Sequence, residues 1–125
     1  MSTTEAAGAA SVDAQGLLAR VGDDLAAVAG VPVGARTGDA GERIETLHRL
    51  RAAVDAQLLA ELGGFETCGG HQVAGCKSVG SWVRLHLRQS HTGAGHTVGL
   101  ARALPGLPVA AAALADGAIT VEHVE

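Results

Sequence analysis

Apolar residues recur at helical spacing along most of the chain, and that pattern sets the expected elements. A first stripe runs Leu18, Val21, Leu25, Val28 and ends at Gly30 and Pro32. Residues 1–11 are small and polar and read as disordered, and 31–41, VPVGARTGDAG, reads as a linker. The strongest pattern follows. Ile44, Leu47, Val54, Leu58, Leu62 and Phe65, flanked by Leu50, predict one long amphipathic helix over 42–65. Its stripe has to be buried against other helices or a second copy. Asp39 stands where an N-cap belongs, with Glu42 three residues later, and Glu45 and Arg49 form an i, i+4 pair in the favourable order. Gly63 and Gly64 mark the expected helix end.

Beyond it, 67–77, TCGGHQVAGCK, reads as a glycine-rich loop. Ser78 is placed to cap a helix over 79–88, with Val79, Trp82, Val83 and His86 on one face, which makes His86 a core residue, and Arg84 and Arg88 on the other. Ser90 opens a further helix that runs to Leu104 and stops at Pro105, and Pro108 suits the first turn of another, ending at Gly117. Thr120 has the character of one more N-cap, but only VEHVE follows, too short to nucleate a helix. The expectation is a chain truncated where an element begins. The predicted fold is all-α, a small bundle of about four to five helices with one long amphipathic helix and a helix-turn-helix-like hairpin over 78–104. An N-terminal segment, 1–38, would precede a helical domain, 39–125.

Composition tempers that picture. Hydrophobic residues make up 47%, yet there is one Phe, one Trp and no Tyr, and Gly occurs 18 times. An Ala- and Val-rich core with glycines in its helices predicts marginal stability, since each helical Gly costs about 1 kcal/mol against Ala. The first ten residues lack the basic and apolar runs of a secretory signal, and no stretch approaches the roughly 18 apolar residues of a membrane span. With two cysteines and no signal, the expectation is reduced thiols in a cytoplasmic protein without a membrane partner. Net charge is −4, but no Asp or Glu occurs from Thr67 to Ala115, which holds Lys77, Arg84, Arg88, Arg102 and four of the six histidines. That span is a candidate surface for an anionic partner, with those four cations as the nucleic-acid contacts.

Catalytic chemistry finds little support. Cys68, His71 and Cys76 form C-x2-H-x4-C, three ligands at an unusual spacing where zinc wants four. They are metal candidates only if His48, His91 or His96 completes the set. Gly75-Cys76-Lys77-Ser78 lacks the Gly that a phosphate loop needs directly before its Lys, and no strand precedes it. No local acid is available to orient a histidine base. The reading is no catalytic residue, no cofactor, no resident metal and no small-molecule ligand. As a DNA reader, the helix after Ser90 is weakened by Gly93, Gly95 and Gly99, with Arg102 as its one cation.

The runs GCKSVGSWVRLHLRQS and VGLARALPGLPVAAAALADGAITVEHV, with ERIETLHRLRAAVDAQLLAEL before them, resemble the actinobacterial 13E12-repeat family, also known as domain-of-unknown-function family 222. The resemblance covers about residues 42–125. Its most specific pieces are Ser78 with Trp82, LARALPGLP at 100–108, and ALADGAITVEHV at 113–124. In that family such a helical region is usually followed by an HNH nuclease, which implies a DNA-cleavage setting. This chain departs from it twice. An HNH site uses His and typically Asn, and the chain has no Asn, so no catalytic residue carries over. After the serine equivalent to Ser90, relatives carry Pro, Glu and several Arg, where this chain has His91-Thr92-Gly93-Ala94-Gly95-His96-Thr97. The leading expectation is a non-catalytic helical domain of an HNH-associated protein that assists DNA binding or dimerises. The alternatives are a helical interaction module with no nucleic-acid role, self-associating through 42–65, and a non-functional remnant.

Overall fold

In the computed structural model, residues 12–123 are described, so the lead-in read as disordered over 1–11 lies outside them. Six α-helices occur among the described residues, and no strand. They are α1 (Ala14–Ala29), α2 (Ala40–Thr67), α3 (Gly70–Val73), α4 (Val79–His86), α5 (His91–Ala103) and α6 (Pro108–Ala115). Short 3-10 turns lie at Val33–Ala35, Leu104–Gly106 and Val121–His123. The count exceeds the expected four to five because the glycine-rich loop holds one turn of helix, α3, entered through Gly69 at φ +73°. The chain separates into two compact units, Met1–Gly38 and Asp39–Glu125.

Polar side chains cap four of the six helices, α1, α2, α4 and α5. Asp13 Oδ1 accepts from the Gly16 amide (2.9 Å) and Asp39 Oδ1 from Gly41 (3.1 Å). Ser78 Oγ accepts from Ser81 (3.1 Å) and Ser90 Oγ from Gly93 (3.0 Å), so each satisfies an amide that the helix leaves without a carbonyl. In the first unit, α1 has no buried residue. Arg36 closes its C-terminal end, donating from Nη2 to the Val28 carbonyl and from Nε to that of Val31, each at 3.1 Å.

In the second unit α2 is the spine. α5 and α6 pack on it, and α4 packs on α5. The core comprises Ala52, Leu59 and Leu62 of α2, Val79 and Val83 of α4, Ala94, Val98, Leu100 and Ala101 of α5, then Leu104 and Leu114. The face of α2 that enters it is not the predicted stripe. Ile44, Leu47, Leu50, Val54 and Leu58 are all exposed, and Ala52, Ala56 and Leu59 are what α5 and α6 rest on. Only the C-terminal end of the stripe, Leu62 and Phe65, joins the core. Gly63 and Gly64 do not end α2 either, since the helix runs on to Thr67. Gly63 faces α5, where an added Cβ would lie 3.6 Å from the Ala101 carbonyl.

α4 ends at His86, two residues short of expectation, because Arg88 takes a left-handed conformation at φ +55°. His86, read as a core residue, is exposed at the end of that short helix. α5 persists to Ala103 despite its three glycines. No single helix among the described residues is long and apolar enough to cross a membrane; α5 through Gly106 and α6 would qualify only together, and they bend by 114°.

Two glycine positions make opposite predictions. Gly117 has φ +75°, and a Cβ there would lie 2.8 Å from Cβ of Arg49 on α2. Gly117→Ala is expected to cost about 1–2 kcal/mol or more, from the left-handed backbone and the clash together. Gly95 and Gly99, with nothing within 4 Å of an added Cβ, are open. Gly95→Ala and Gly99→Ala are each expected to stabilise by about 0.5–1 kcal/mol. Chemical denaturation followed by circular dichroism checks both signs.

Candidate functional site

Two exposed features of the second unit carry recognisable chemistry. The first is the stripe on the N-terminal half of α2. Five large aliphatic side chains, Ile44, Leu47, Leu50, Val54 and Leu58, are each 40–66% exposed. Scattered exposed leucines are ordinary, but a continuous row over four turns of one helix is a candidate contact surface. Next to it Arg51 and Asp55, one turn apart, line a small hollow with Ala52, Thr120, Val121 and Glu122. Glu45 and Arg49 pair with each other on another side of the helix at 3.9 Å.

The second feature is the acid-free stretch. Lys77 precedes the Ser78 cap, Arg84 lies in the last turn of α4, and Arg88 lies just past it, all three exposed. A glycine normally takes the left-handed position after a helix, so Arg88 holds its φ of +55° at a cost of about 1 kcal/mol. Arg102 separates from this group. Its Nε donates to Glu66 at 2.9 Å and Nη2 adds a second bond, a forked pairing that ties α5 to the end of α2. The exposed side of α5 consists otherwise of His91, Thr92, Gly95, His96, Gly99 and Ala103. Apart from Arg102, already paired, no Lys or Arg faces outward from the helix that a helix-turn-helix would insert in a groove.

Aromatic rings support α4. Trp82 sits 4.5 Å from the Phe65 ring of α2, and His86 stacks on Trp82 at 4.5 Å with planes 15° apart. Nδ1 of His86 lies 3.1 Å from the Trp82 carbonyl. A carbonyl only accepts, so Nδ1 carries the hydrogen and Nε2 faces outward. The potential zinc ligands are not gathered. Cys68 Sγ donates to the Phe65 carbonyl (3.4 Å), while the Cys76 backbone amide donates to the His71 carbonyl (2.8 Å). Among the described residues no three His, Cys, Asp or Glu side chains come together as a metal site. Sequence reading missed the Glu66–Arg102 pair, for which separation by 36 residues leaves no local signal.

A groove of about 600 Å³ runs beside that pair, lined by Ala56, Leu59, Gly63, Ala101, Leu104 and Pro105 among others. The hydrogen bonds from Arg102, helped by its charge, hold the Glu66 carboxyl below the ordinary carboxylate range. A lowered folded-state pKa means stability that is present above the unfolded carboxylate pKa and lost as pH falls through the folded value. Arg102→Leu is therefore expected to lower the melting temperature at pH 7, with the gap to the parent closing as pH falls below about 4. Parallel melts at pH 7 and pH 3 check it; an equal gap at both would show that the pair contributes packing alone.

Comparison with known proteins adds the family and nothing finer. No curated protein and no solved structure matches the chain. The family described as "Domain of unknown function (DUF222)" matches residues 38–125, the whole of the second unit and the glycine before it. The chain therefore belongs to the DUF222 family, over the same residues in which α2 carries both the core and the exposed stripe.

Proposed function

We propose that this DUF222 unit is a non-catalytic helical module that pairs with itself through the exposed stripe of α2. The observation that carries the reading is the row Ile44, Leu47, Leu50, Val54 and Leu58, left exposed while Ala52, Leu59 and Leu62 of the same helix are buried. Covering such side chains contributes about 1 kcal/mol each when they start half-exposed. Across two copies that is about 10 kcal/mol, and association costs about 4–15 kcal/mol, so the expected pairing is reversible and no tighter than about tens of micromolar. The resemblance to 13E12-repeat proteins supplies a setting in which helical regions of this kind accompany an HNH nuclease. In that setting the module pairs or positions the chains that cut DNA.

Light scattering on the full chain between about 1 µM and 1 mM spans the affinities at issue. A mass rising from 12.4 kDa towards twice that value is the expected result. Leu47→Ser with Val54→Ser, both exposed, is expected to abolish the rise while leaving helicity and melting temperature near the parent's. A monomer across the whole range contradicts the proposal.

A second reading, contact with a nucleic-acid backbone, is favoured by Lys77, Arg84 and Arg88 standing exposed in a stretch without acids. Three phosphate contacts predict a salt dependence with a slope of about −2.7 in log K against log salt. Duplex DNA titrated at low and moderate salt reads that slope. The K77A/R84A/R88A variant is expected to lose it, and no binding at low salt removes this reading.

A further inference from the structure

We infer that the outer face of His86 is a stacking platform for a base of single-stranded nucleic acid. The inference rests on the second reading above, contact with nucleic-acid phosphates, and names the strand form which that reading leaves open. The carrying observation is a ring stack that ends in solvent. Phe65 of α2 lies 4.5 Å from Trp82, and His86 lies 4.5 Å from Trp82 on nearly parallel planes, 15° apart. Trp82 is half-buried and His86 exposed, so the indole covers one face of the imidazole and the other is left to water. The hydrogen bond from Nδ1 to the Trp82 carbonyl, at 3.1 Å, holds the ring in that attitude. A ring already held flat loses little freedom when a base lies on it.

The surroundings of the ring fit a single strand. Leu85 and Leu87, its neighbours in sequence, are 69% and 37% exposed and offer apolar contact to a base or sugar. Cations stand at both ends of α4, Lys77 ahead of the Ser78 cap and Arg88 two residues past His86. Eight residues of helix are about 12 Å long, so a strand laid along α4 spans from one cation to the other. Arg84 lies on the other side of α4 by helical spacing and is not needed at the ring. No Asp or Glu occurs from Thr67 to Ala115 to repel phosphates, and Glu66, next to Phe65 in sequence, is held by Arg102. In a duplex the bases cover one another's faces. Only an unpaired, splayed base has a face to lay on a protein ring.

The test titrates the full chain at low salt into a labelled oligothymidylate of about 12 nucleotides, within the roughly 4–16 that single-strand sites cover, and into a blunt duplex of the same length. Anisotropy of the label reads both affinities. Both forms are expected to bind, since both carry phosphates. His86→Ala is expected to weaken the single strand about 5- to 100-fold and to leave the duplex at the parent's affinity. His86→Phe, which keeps a flat ring, is expected to restore the single-strand affinity. Trp82 is the chain's one tryptophan, and its emission is expected to change with the single strand and not with the duplex. Single-strand affinity unchanged in His86→Ala, or lost alike in His86→Ala and His86→Phe, overturns the platform. So does an equal loss on the duplex, which would mark a structural role for the ring, and so does binding of the duplex alone. In each of these cases duplex binding by the parent leaves the phosphate contact standing. No binding of either form removes the phosphate contact and the platform together.

Discussion

The small-residue face of α2 is the constraint on which the second unit depends. Ala52, Ala56 and Leu59 let α5 and α6 settle close to the helix, and Leu114, Val79 and Val83 fill the space that remains. The approach is tight enough that Gly117 lies against Arg49, where no side chain would fit. With so little aromatic material, the core gains stability from closeness rather than from large surfaces. The Glu66–Arg102 fork adds a polar clasp at the end where α2 and α5 meet.

Committing that face to the core leaves the aliphatic row outside. The helices that pack on that face are also short. α2 has 28 residues, about 42 Å of helix, whereas α4 and α6 have eight residues each and α5 has thirteen, so none of them exceeds about 20 Å. They and the turn after α6 cover the face that carries Arg49, Ala52 and Leu59, and at the C-terminal end Leu62 and Phe65 are drawn in. Ile44 to Leu58 keep the composition of a buried stripe without elements of the same unit to bury them. The proposed pairing follows from that exposed row.

What could be read from sequence follows the range of each interaction. The caps at Asp39, Ser78 and Ser90, the stop at Pro105 and the start at Pro108 are local, and each was legible. The family was legible from its motifs, and the match over 38–125 agrees. Which side of α2 enters the core was not, because periodicity weights large aliphatics and here Ala52 and Ala56 share the buried face with Leu59. Gly63 and Gly64 read as a helix end, but α2 runs through both, and the contact of Gly63 with α5 leaves no local trace. His86 fits an apolar wheel, but its helix stops there and the ring lies past the edge of the core, stacked on Trp82. Arg102 looked like a free cation until its acid partner, 36 residues earlier, came alongside. The left-handed Arg88 had no signal at all, since that position ordinarily belongs to glycine.

The central claim is that α2 divides its labour, one face for the core and the other for a partner. The most direct test compares Leu59→Ala with Leu47→Ala in urea denaturation, at a concentration dilute enough to keep the chain monomeric. Leu59 is 4% exposed and Leu47 45%. The account predicts a loss of about 2–5 kcal/mol for Leu59→Ala and a change within about 0.5 kcal/mol for Leu47→Ala. Equal losses from the two would mean that the stripe belongs to the core after all, and would contradict the account.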